Sequence, residues 1–180
     1  SRIFERLFPY YATVGIIMLI IIMAQILRGR DRFSWILKML TGLIALGFAF
    51  HTAGFILRWY VSGHAPMSNG YESMIFVSWV IVLGGFLFIR KSRLTLAASA
   101  VLASLTLMVA HLSFMDPEIT NLVPVLKSYW LTLHVSVITS SYGFLGMGAI
   151  LGLIIMILYA VASGKKHDYI IDKIRDLTVI

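Results

Sequence analysis

The amino-acid sequence predicts an all-α, polytopic integral membrane protein with five transmembrane helices. Three observations carry this expectation. Hydrophobic residues make up 59% of the 180 residues and charged residues 13%, where soluble domains carry about 45–50% and about 25%. A soluble core of this size does not hide so much apolar surface. The charges also fall in short clusters between long apolar runs, which is the pattern of membrane loops.

Five runs are long enough to cross a bilayer, which takes about 20 residues with roughly 17 to 25 tolerated. They lie at about 10–27, 36–60, 73–89, 95–114 and 129–162, and together form one membrane domain over 1–180. The last is over-long and must tilt or project beyond the hydrocarbon. Helices are expected because a lipid-embedded backbone must satisfy its own hydrogen bonds, and the runs lack the alternation of barrel strands. The first run is too long for a cleaved signal, and no small-residue cleavage site follows it.

Lysine and arginine set the expected orientation. The connections after the first and third runs and the C-terminal tail hold 11 of the 15 basic residues, and the opposite set holds 4: Arg2, Arg6, Arg58 and Lys127. Positive residues favour the cytoplasm. The N-terminus is therefore expected outside, the C-terminus inside, and the loops at about 61–72 and 115–128 outside. The net charge of +7 is thus read as loop charge facing a lipid bilayer, with no nucleic-acid partner. Cysteine is absent, which excludes disulfides, thiolate metal sites and a cysteine nucleophile. Zinc-helix, nucleophile-elbow and Walker motifs are missing.

The histidines and one arginine call for explanation. His51 lies near mid-span, where an ionisable group faces the bundle interior by default. Gly47, His51, Gly54 and Arg58 share its helical face, and such small residues admit either a neighbouring helix or a flat ligand. Arg58 stands near the outer end of the same run. It is placed to snorkel, to pair with Glu72, or to grip a carboxylate through its forked donors. His134 lies five residues, roughly 7.5 Å, below the outer end of the fifth run. Its face carries Trp130, Ile138, Ser141, Leu145, Gly148 and Gly152, which suits a planar aromatic ligand or a glycine packing seam. His111 and His64 are outer boundary residues open to metal ligation or a polar structural role. The tail around Asp168–Asp176 reads as an amphipathic helix on the membrane or as the lead into a further span.

Two stretches go beyond composition. Arg58–Ser73 reads RWYVSGHAPMSNGYES, and Val123–Val135 reads VPVLKSYWLTLHV. Both resemble the CcsA/ResC family, polytopic haem-handling proteins of System II cytochrome c maturation. The stretches FHTAGFILRWY and SYGFLGMG are also similar, and the resemblance runs from about residue 8 to 165. It implies haem handling and presentation for covalent attachment to apocytochrome c, with haem b as cofactor. It also implies a CcsB/ResB-like partner or fused half, and an apocytochrome carrying a CxxCH motif. The implied place is the bacterial inner (cytoplasmic) membrane, with the active face extracytoplasmic.

By motif position, His134 matches the first of the two outer haem-ligating histidines of that family. Trp130, Arg58, His51 and His64 join it as candidate cofactor-binding residues. The family's WWD segment and its second outer histidine are absent, so the chain reads as the N-terminal part of such a unit. On this reading it is one component of a haem lyase complex, with no self-contained catalytic site. The alternatives are a non-haem transporter or channel subunit, expected to carry mid-depth acids or broken helices, a b-type membrane cytochrome, and a structural membrane subunit.

Overall fold

A computed structural model of the chain describes residues 2–28, 34–112, 117–119 and 128–161, without the side chains of Arg2 and Arg28. Among the described residues the structure is all-helical: α1 (Arg2–Arg28), α2 (Ser34–Ser62), α3 (Gly70–Leu87), α4 (Arg93–His111) and α5 (Tyr129–Val161). All five are long and apolar enough to cross a membrane. Arg30, Arg32, Lys127, His167 and the tail expected to be amphipathic lie outside the described residues.

Successive helices run up and down. The starts of α1, α3 and α5 meet the ends of α2 and α4 at what we call the upper end. Phe4 touches His51, Phe8 stacks on His111 at 6.5 Å, and Ser136 reaches Met67. α4 is central, packing on α1, α3 and α5, while α2 meets α1 and α3. The reason lies in its side chains: Ala97, Ala98, Ser99, Ala100, Ala103 and Ser104 are all buried. Small residues bring helices close where lipid offers no hydrophobic drive for association.

The close approaches are specific. A Cβ on Gly85 of α3 would stand 2.8 Å from the Cβ of Ser99 on α4, and one on Gly15 of α1 would stand 3.0 Å from the Cβ of Ala100. α2 and α3 meet through rings instead: Trp79 stacks with Phe48, Phe55 and Phe76 and donates its indole N–H to Thr52.

α1 begins eight residues before the apolar run, through Pro9 and the charged Glu5 and Arg6. Its first turns are held by tertiary packing, because Phe4, Leu7 and Tyr11 are buried in the core. α3 begins at Gly70, three residues earlier than hydropathy alone suggests, because Asn69 caps it by accepting the Glu72 N–H at 2.9 Å. Gly63, at φ +69°, ends α2 with its N–H on the Trp59 carbonyl. α5, at 33 residues, is about 50 Å long, against about 30 Å of hydrocarbon.

Gly85→Ala forces a short, stiff neighbour to move, so it is expected to destabilise the bundle by about 1–3 kcal/mol. Gly148→Ala on α5 meets nothing within 4 Å and is expected to stay within about 0.5 kcal/mol of the parent. Thermal unfolding of the two variants in one detergent reads the difference.

Candidate functional site

The upper end is organised around one ion pair. Arg58, on the last turns of α2, is 7% exposed. Its Nε donates to Glu72 Oε1 at 2.8 Å, Nη1 to the Pro117 carbonyl at 3.0 Å and Nη2 to the Glu118 carbonyl at 3.3 Å. The guanidinium carbon also lies 5.1 Å from the centre of the Tyr71 ring. Glu72 is buried in the first turn of α3, and its second oxygen accepts from the Ser68 N–H at 2.8 Å and hydroxyl at 2.6 Å. Asn69-x-x-Glu72 has capping-box spacing, but the carboxylate turns to Ser68 and Arg58 rather than back to the cap. Of the readings open for Arg58, the pair with Glu72 is the one formed.

His51 is fully buried, and Gly47, Gly54 and Arg58 are buried with it. The neighbour that the glycines admit is α1. A Cβ on Gly47 would meet the Tyr10 ring at 2.7 Å, and one on Gly54 would meet Phe4 at 3.1 Å. Phe4 and Tyr11 flank the imidazole at 5.6 and 6.0 Å. The carbonyl of Ile75 comes near the ring, yet neither nitrogen has a partner of hydrogen-bonding geometry.

His64 lies in the loop after α2, half-buried, with Nδ1 3.1 Å from the Ala65 carbonyl and its own carbonyl accepting from Ser62 Oγ. His111 is exposed at the end of α4.

His134 differs from these. α5 buries Thr139, Gly143, Met147, Leu151, Ile154 and Leu158, and at 100° per residue Gly143 lies half a turn around the helix from His134. The imidazole therefore stands on the side turned away from the bundle, and it is exposed. Trp130 is 76% exposed one turn above it. Ile138, Ser141, Leu145 and Gly148 on the same face are also exposed, and a Cβ at Gly148 or Gly152 would meet nothing within 4 Å. No partner for the His134 ring exists among the described residues. The described residues also gather no cluster of three histidine or acidic side chains that would hold a metal ion.

The structure brings Arg58 and Glu72 together, one of the pairings left open in sequence, but not His51 with His134, which lie on different helices and face different surroundings. The sequence reading misses Ser68, the Pro117 and Glu118 carbonyls and the Met67–Ser136 contact.

Five spanning helices, with an imidazole kept on the outside of the bundle, define a polytopic integral membrane protein whose histidine is not consumed by its own fold. Residues 67–177 match the family model described as Cytochrome C assembly protein, and the chain belongs to that family. It is 51% identical over 170 residues to Protein NrfI of Wolinella succinogenes, covering 92% of this chain and 18% of that protein. It is 39% identical over 122 residues to Cytochrome c biogenesis protein CcsA of Prochlorococcus marinus strain MIT 9303, covering 66% of this chain and 38% of that protein. The strain MIT 9301 protein of the same name is 35% identical over 133 residues, or 72% of this chain and 42% of that protein. The chain thus spans between 18% and 42% of the length of these relatives.

Arg58→Leu leaves Glu72 charged and buried without its cation, and is expected to destabilise by about 3–5 kcal/mol. Arg58→Leu with Glu72→Leu removes both charges and is expected to recover part of that loss. A double-mutant cycle in detergent measures the coupling.

Proposed function

We propose that this chain is the part of a cytochrome c assembly protein that holds haem b at the outer face of the membrane, with His134 as one axial ligand. The observation that carries the reading is the position of His134 on α5. It is exposed, opposite the buried stripe, with the exposed aromatic of Trp130 one turn above. An imidazole is the usual protein ligand of haem iron.

The donor set fits haem in part. This chain supplies one nitrogen, and the second ligand comes from elsewhere in the full-length protein. His134 and Trp130 would hold and flank the porphyrin. Haem would supply vinyl groups that accept the two cysteine thiols of a CxxCH motif, and the protein contributes position and control of potential. Arg58 enters by holding the outer loops, because Glu72 and two carbonyls already engage its donors. His64 turns toward its own backbone, and His51 sits among rings, so the reading uses neither as a ligand.

The family supports a role in cytochrome c maturation. With a positive-inside orientation, the upper end faces the extracytoplasmic side of a bacterial inner membrane. There an apocytochrome and a CcsB/ResB-like partner would meet it.

His134→Ala in the full-length protein is expected to lower haem occupancy by about tenfold or more, at least the cost typical of losing a ligand's supporting group. Added imidazole is expected to restore part of the ferrous absorption spectrum and of the mature cytochrome c. Unchanged haem content together with indifference to imidazole would remove the assignment.

A further inference from the structure

We propose that Arg58 and Glu72 are positioning residues for His134, acting through a relay that ends on α5. The proposal rests on the reading of His134 given above. Its first link is the fork of Arg58, which ties the end of α2 to the start of α3 and to the carbonyls of Pro117 and Glu118 in the chain between α4 and α5. The second link is Glu72, whose other oxygen holds both the N–H and the hydroxyl of Ser68. The third is Met67, next to Ser68, whose Sδ accepts from Ser136 Oγ at 3.2 Å. Ser136 lies on α5, two residues beyond His134. The same hydroxyl stands 2.7 Å from the Thr132 carbonyl, so its single proton is shared between the two acceptors.

The upper end of α5 depends on such ties because it has little else. The buried residues of α5 begin at Thr139, and none lies among the ten residues from Tyr129 to Ile138 that carry Trp130 and His134. Packing on α3 and α4 holds the helix below that point. A Cβ on Gly143 would touch Ile81 at 3.2 Å, and Met147 Sδ accepts from Ser99 Oγ. Above it, the Met67 contact ties the helix to the loop that Glu72 and Arg58 hold. Ser136 is about 200° around the helix from His134. Holding Ser136 against the loop therefore turns the imidazole outward, where a ligand from outside this bundle reaches it.

The relay makes a prediction that a simple charge pair does not. Lysine at position 58 keeps the attraction to Glu72 but lacks the planar fork that also reaches two carbonyls.

The test uses the full-length protein with spin labels on Tyr60→Cys, at the end of α2, and Val137→Cys on α5; both positions are exposed. Label distances are measured without haem, and the haem midpoint potential is measured separately. Arg58→Gln, Arg58→Lys and Glu72→Gln are each expected to broaden or shift the label distance. Met67→Leu combined with Ser136→Ala conserves volume and spares the ion pair. It is expected to shift the distance and the potential while haem remains bound. A distance distribution unchanged in the Met67–Ser136 variant overturns the relay, even if the Arg58 variants fail to fold. Full rescue by Arg58→Lys overturns the role of the fork. A shifted distance with haem indifferent to His134→Ala upholds the relay and removes the ligand assignment instead.

Discussion

The guanidinium of Arg58 brings a full charge into a nearly dry environment, and the upper end of the bundle is built to accommodate it. Desolvating an ion pair costs several kcal/mol per ion, and the mutual attraction repays this only when the remaining donors and acceptors are also matched. Here they are matched. Glu72 meets Arg58 with one oxygen and Ser68 with the other, Arg58 spends further donors on two carbonyls, and Tyr71 covers its face. The cost of leaving any of these groups unpaired is what fixes the loops. An exposed pair at the same place would be worth about 1 kcal/mol or less and would fix little.

Below that end the fold obeys a different constraint. Lipid competes with every apolar side chain, so close packing rather than apolarity decides which faces are internal. α4 is central because it is lined with alanine and serine. α2 and α5 lie at the margins, and each keeps a broad apolar face uncovered. On α5 that face carries His134. His134 faces away from the bundle because the glycine and methionine of α5 that pack against its neighbours, Gly143 and Met147, are on the other side.

The five helices were legible because each apolar run has at least the roughly 17 residues that a crossing needs. Their ends were less so. Pro9 and the charges beside it argue against a helix, yet Phe4, Leu7 and Tyr11 gain enough burial to extend α1 to Arg2. The face containing His134 was legible from spacing, but its direction was not. A helix apolar all round gives no sign of which side meets its neighbours, and the contact between Gly143 and Ile81 decides it. The Gly47–His51–Gly54 face looked the same in sequence and turned out to be filled by α1. Arg58 with Glu72 was one of several readings. The carbonyl and thioether partners were hidden because any residue offers a carbonyl and methionine spacing carries no signature.

The central claim is that His134 donates its nitrogen to haem iron. Replacing it with methionine in the full-length protein preserves a ligand but changes its chemistry. Methionine with histidine raises the reduction potential relative to two histidines. A redox titration of His134→Met is predicted to give a bound haem with a clearly raised midpoint potential. A potential and spectrum identical to the parent would contradict the claim.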